Sequence, residues 1–209
     1  GAFAYDQLEL KVDDSRARSD GDLFQAGVTA LRRWNGTDLS ASLNLGFGTF
    51  DHRRALFTGS STSASEHLWV VGGRVGAARS LPAGGWVVRP RVDLGVQYLA
   101  MDGYQESGSG GLLLKVDSQR DTYVDVQAAV EFMTDIQAAD GVSIRPSFTL
   151  GVTQFLGNAA PSATGRLVAA PGEVAPFVVR TGLDQTWFDA RASVDVFARQ
   201  DMSLRAEVF

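Results

Sequence analysis

Trp86-Val87-Val88-Arg89-Pro90-Arg91-Val92-Asp93-Leu94-Gly95-Val96-Gln97-Tyr98-Leu99 is the stretch that decides the fold. Trp86, Val88, Pro90, Val92, Leu94, Val96 and Tyr98 fall on one face. Arg89, Arg91, Asp93 and Gln97 fall on the other. Side chains of a strand point alternately to its two faces, so strict period two marks a strand between two different solvents. The stretch is also long. A strand of about 10 residues tilted about 40° spans roughly 25 Å, the height of an outer-membrane apolar band, whereas soluble strands average about 5 to 6 residues.

The same alternation recurs on both sides. Between Asp38 and Phe50, Leu39, Ala41, Leu43, Leu45 and Phe47 oppose Ser40, Ser42, Asn44, Gly46 and Gly48. Between Trp187 and Phe197, Phe188, Ala190, Ala192, Val194 and Val196 oppose Asp189, Arg191, Ser193 and Asp195. Nine strands are expected, over about 2–12, 22–34, 38–53, 66–81, 86–104, 112–135, 142–156, 183–198 and 202–209. Four tight connections fall at Asn35-Gly36, Pro82 to Gly85, Ala138 to Gly141 and Arg199 to Asp201. They alternate with longer polar segments: Asp13 to Gly21, Arg54 to Ser65, Tyr104 to Gly111 and Gly157 to Gln185. Short periplasmic turns alternating with longer extracellular loops characterise bacterial barrels. Trp34 and Trp86 sit beside tight turns, and Trp69, Tyr98, Tyr104, Phe155 and Trp187 toward the long loops. Two interfacial aromatic girdles are therefore expected. The fold class is all-β, an antiparallel up-and-down transmembrane β-barrel.

Composition agrees. The chain has 209 residues, one domain's worth, with 44% hydrophobic and 21% charged residues. No window approaches the roughly 18 to 20 uncharged apolar residues of a spanning helix, a test that strands escape because only alternate residues meet lipid. Net charge is -5 with no basic tract, so no nucleic-acid partner is expected. No cysteine is present, which removes disulfides and thiolate metal sites. Gly1-Ala2-Phe3-Ala4-Tyr5 does not open like an export signal, so such a signal is expected upstream.

A weak internal repeat relates Gly85-Trp86-Val87-Val88-Arg89-Pro90 to Gly141-Val142-Ser143-Ile144-Arg145-Pro146. Proline removes a ladder donor, so each site is expected near a strand end or a local distortion. The segment Gly85 to Asp125 carries a Gly-Trp start, the Arg-Pro strand and Tyr98. Asp102-Gly103-Tyr104-Gln105-Glu106-Ser107-Gly108 and Val116-Asp117-Ser118 follow. On these residues the chain resembles the C-terminal β-domain of autotransporters, the type V secretion family. Asp20 to Trp34, and Thr181-Gly182-Leu183-Asp184 with the Trp187 strand and Ser203-Leu204-Arg205-Ala206-Glu207, extend the resemblance over nearly the whole chain.

The resemblance implies a twelve-stranded barrel with an N-terminal helix in its pore. By loop parity residues 1–209 would be one partial domain holding strands three to eleven. Phe209 lies out of phase with Leu204, Ala206 and Val208, unlike a barrel's terminal aromatic. The resemblance further implies a translocator and anchor in the outer membrane of a Gram-negative bacterium. Its partners would be outer-membrane lipid, its own passenger polypeptide and the barrel assembly machinery. No cofactor and no enzymatic activity are implied.

The polar face would line the lumen. Arg74, Arg89, Arg91, Asp93, Asp125, Glu131, Arg145, Asp189, Arg191 and Asp195 fall on it, with Arg205 and Glu207. Mixed signs suit a lattice knitted by arginine forks as well as a hydrated peptide path. Twelve strands about 4.8 Å apart and tilted about 40° give a backbone diameter near ~24 Å, reduced by side chains to roughly 10 to 12 Å, about one helix wide.

Two other functions compete. One is an outer-membrane barrel enzyme of protease or lipase type, using Asp51-His52 or Glu66-His67 at the rim. Adjacent strand residues point to opposite faces, so both are read as ordinary rim histidines, and two such distant histidines make a poor metal site. The other is a small adhesive β-barrel. A passenger upstream favours translocation, and a signal peptide directly before the barrel favours the enzyme. Gly108-Ser109-Gly110-Gly111 lacks the Lys-Ser/Thr ending of a phosphate cradle and reads as a loop.

Overall fold

In the computed structural model nine long strands form one antiparallel sheet. Residues 1–12, 16–57, 59–109, 111–138, 142–157, 161–180, 182, 184–198 and 202–208 are described. The strands are β1 (Ala2–Val12), β2 (Ala17–Trp34), β3 (Thr37–Ala55), β4 (Ser61–Arg79), β5 (Trp86–Met101), β6 (Gln119–Met133), β7 (Val142–Leu156), β8 (Thr186–Ala198) and β9 (Met202–Val208). Their spatial order is their chain order, so the sheet is an up-and-down meander. Among the described residues no ladder joins β1 to β9. Phe209 and Arg199 to Asp201 lie outside the described residues, as do Ala139 to Gly141 in the other expected tight turn.

Turn chemistry fixes the register where it can be read. Trp34 pairs with Thr37, leaving a two-residue turn at Asn35-Gly36. Both turn residues have positive φ, 49° and 78°, the conformation a type I′ hairpin requires. Gly84-Gly85 likewise forms a two-residue turn between Ala83 and Trp86, here with positive φ, 64°, at Gly84. Both proline sites interrupt a ladder. The β4–β5 pairing stops after Ala78↔Arg91 and resumes at Leu81↔Val88, and Pro90 falls in the gap. The β6–β7 pairing stops after Met133↔Ser147 and resumes at Ile136↔Ile144, and Pro146 falls in the gap. A residue without an N–H leaves the ladder one bond short at that point.

The long-loop end differs from expectation. β2 begins at Ala17, β3 runs to Ala55 and β4 starts at Ser61, so these strands reach 18, 19 and 19 residues. Their polar ends look like loop, but backbone pairing continues beyond the apolar band. The expected strand 112–135 is split. Its first part, Leu114–Val116, leaves the main sheet and pairs with Tyr104–Gln105 on one side and Ser162–Leu167 on the other, and Phe177–Arg180 closes the far edge. The connections after β5 and β7 thus share a second, four-stranded sheet. Polar composition hid it, because strand pairing between two loops leaves no periodicity within either.

The two faces are distinct. Leu39, Leu43 and Leu45, with Val71, Val75, Val92, Leu94 and Val96, are large apolar side chains left exposed on one face; Leu43 keeps 65% of its surface. The apolar surface therefore lies outside the sheet, and almost nothing apolar is buried within the chain: Leu56 and Ala78 alone among the described residues. An exposed apolar patch of this extent is what a lipid-facing wall presents, not a soluble surface.

Candidate functional site: the charged face of the sheet

The cross-strand register places all ten expected site residues on the face opposite the leucines and valines. Arg74 faces Gly95, on the same face as Asp93, Arg91 and Arg89. Arg89 faces Glu131, and Gly95 faces Asp125. Arg145 faces Asp195, while Thr149 faces Arg191 and Gly151 faces Asp189. The side chains of Arg205 and Glu207 lie outside the described ones.

The structure pairs many of these charges. Arg74 Nη2 donates to both carboxylate oxygens of Asp125 at 2.9 and 2.8 Å. Arg91 grips Asp93 through Nε at 2.5 Å and Nη2 at 2.8 Å, and Asp93 keeps only 1% of its surface. Arg89 lies between Asp38 at 3.4 Å and Glu131 at 3.6 Å. Arg145 reaches the turn, where Nη2 donates to Asp135 at 3.0 Å, and its guanidinium lies 5.3 Å from the Phe197 ring centre. Arg191 and Asp195 are engaged as well. Arginine suits this role because its planar fork can hold a carboxylate bidentately.

The aromatic girdle is narrower than expected. Trp34 and Trp86 lie exposed beside their turns, and Trp69 and Tyr98 stand on the apolar face at the other end. Phe155 faces Asp125, and Trp187 faces Thr153, so both belong to the polar face. Tyr104 is in the loop sheet and stacks on His52, ring centres 5.0 Å apart.

A cluster at the long-loop end was missed by sequence reasoning. His52 meets Glu66 across the β3–β4 ladder at 2.9 Å, not its chain neighbour Asp51. Beside it Arg54 donates to Glu106 through Nε at 3.0 Å and Nη2 at 2.5 Å, and also to the Leu112 carbonyl at 2.8 Å. The Leu114 amide donates to the same carboxylate at 2.8 Å. Ser107–Gly108 adds a short strand to β4 at Thr62 and Ser63. The connection after β5 is thereby pinned onto β3 and β4. The only signal was Glu106 within the Asp102–Gly108 motif, and its partner lies 52 residues away.

Burial opposes ionisation of Glu106, but Arg54, the Leu114 amide and the Thr62 hydroxyl together hold its carboxyl below the ordinary value of 4.5. A depressed carboxylate contributes stability that is fully present above its unfolded value and is lost as pH falls through the folded one. The pinned segment is therefore expected to resist protease on intact cells at pH 7 and to become cleavable only once the pH has fallen well below the ordinary carboxylate value of 4.5. Equal cleavage at both pH values would contradict the clasp.

An exposed apolar face, a charged opposite face and an up-and-down meander define a domain that crosses an outer membrane with strands. The autotransporter beta-domain family model matches residues 1–208, and the chain belongs to that family. It resides in the outer membrane of a Gram-negative bacterium. Among solved structures it is similar to the translocator domain of autotransporter NalP from Neisseria meningitidis, at 13% identity and a TM-score of 0.54, covering 92% of this chain and 66% of that one. It is also similar to the beta domain of the Bordetella autotransporter BrkA, at 14% identity and a TM-score of 0.44, covering 98% of this chain and 88% of that one. Comparison with curated protein sequences finds no match.

Proposed function

We propose that this domain anchors its own passenger in the outer membrane and supports passage of that passenger to the cell surface, with the charged face lining the pore. The observation that carries the proposal is the separation of faces. Alternate residues of one strand offer leucine and valine to lipid and ion-paired arginine and aspartate to water. Pairing leaves the wall hydrated yet nearly balanced in charge, so a passing chain of either sign meets no net barrier. The nine strands would be part of a twelve-stranded barrel, and the barrel assembly machinery would insert it. The domain's role would be conduction rather than catalysis.

The test uses the full-length protein in a Gram-negative host. Protease added to intact cells is expected to remove the passenger, and deletion of this domain should leave the passenger protected. Surface cleavage that persists after the deletion would refute the proposal.

A further inference from the structure

Arg74, Gly95 and Asp125 form one row across three adjacent strands. Strands lie about 4.8 Å apart, so the backbones of Arg74 and Asp125 are separated by roughly 10 Å. Their side chains nonetheless meet at 2.8 Å. They do so by lying flat across Gly95. A Cβ built there would stand 2.7 Å from Arg74 Nη2 and closer still to Asp125. The pattern recurs. Asp93 lies over its cross-strand partner Gly76, where a Cβ would collide with the carboxylate. Asp189 lies over Gly151, where a Cβ would stand 2.7 Å from Oδ2.

Glycine weakens a strand, so its repeated use opposite a charged partner calls for a gain elsewhere. We propose that Gly95, and with it Gly76 and Gly151, set the bore of the pore: each is a saddle that lets a charged side chain fold against the wall instead of projecting into the lumen. This rests on the charged face lining the pore. Each saddle keeps charged side chains flat against the wall of a lumen only about one helix wide. Any side chain at Gly95 would separate Arg74 from Asp125 and turn both inward. These glycines are positioning residues, and they act through the ion pair.

The test is single-channel conductance of the full-length protein in planar bilayers, with heat-modifiable gel migration reporting folding. Gly95→Val is expected to lower conductance roughly twofold, because the Arg74 guanidinium and the Asp125 carboxylate are then both turned into the bore. Gly95→Val combined with Arg74→Ser and Asp125→Ser should regain the wild-type conductance, because nothing is left to project. Gly73→Val, on the apolar face of β4, should leave conductance unchanged. If Gly95→Val alone fails to fold, recovery of both folding and conductance in the triple variant still supports the saddle. An unchanged conductance in folded Gly95→Val, or a triple variant that does not recover, overturns the saddle while leaving the pore in place. A wild-type protein that conducts no ions overturns the pore and the saddle together.

Discussion

Val92→Arg and Leu94→Arg are each expected to destabilise the domain in lipid vesicles by about 2 to 4 kcal/mol, and Gln97→Arg by much less. Val92 keeps 55% of its surface exposed on the apolar face, and Leu94 stands beside it on the same face. At mid-bilayer an arginine there must hold its guanidinium in hydrocarbon or drag water and headgroups toward it. Gln97 lies on the other face, opposite Gly72 and Tyr123. An arginine there joins a wall already rich in arginine and stays hydrated. The measurement is the free energy of unfolding in urea from vesicles of phosphatidylcholine. Similar costs at positions 92 and 97 would contradict the assignment of faces.

Arg91→Ala is expected to cost more than Asp93→Ala, although the two residues form a single ion pair. The difference lies in which charge is left behind. Asp93 is buried to 1% exposure, whereas Arg91 keeps half of its side-chain surface in solvent. Losing Arg91 strands a carboxylate out of water, at about 3 kcal/mol, the lower end for breaking a buried pair. Losing Asp93 leaves a guanidinium already half exposed to solvent, at about 1 to 2 kcal/mol. The same urea titration compares the two variants. An equal or reversed order would mean that Asp93 is solvated and that the strand wall at Gly76 does not enclose it.

Which parts of this were legible in the sequence follows from distance along the chain. Strand positions and faces are local properties. Period two along Trp86 to Leu99 fixes which side chains share a face, and every one of the ten charged residues lands on the side that alternation assigns. Asn35-Gly36 fixes a turn, and Pro90 and Pro146 mark where ladders break. The partners are not local. Arg74 and Asp125 are 51 residues apart, and only the register across three strands brings them over Gly95. The second sheet is hidden for the same reason, since Leu114 meets Leu167 through pairing between two different connections. Phe155 and Trp187 do lie at strand ends toward the long connection, but their parity sets them on the charged face rather than in a lipid-facing girdle.

Thiol labelling of single cysteines tests the central claim most directly, because the domain has no cysteine of its own. Val92→Cys, Leu94→Cys and Val126→Cys occupy the apolar face, and Gln97→Cys, Gln127→Cys and Thr149→Cys the charged one. In full-length protein within the outer membrane, a small water-soluble maleimide is expected to label the second set and spare the first. A lipid-borne thiol reagent should do the reverse. Labelling that ignores the alternation, or that reaches both sets equally from water, would contradict a wall with lipid on one side and a hydrated pore on the other.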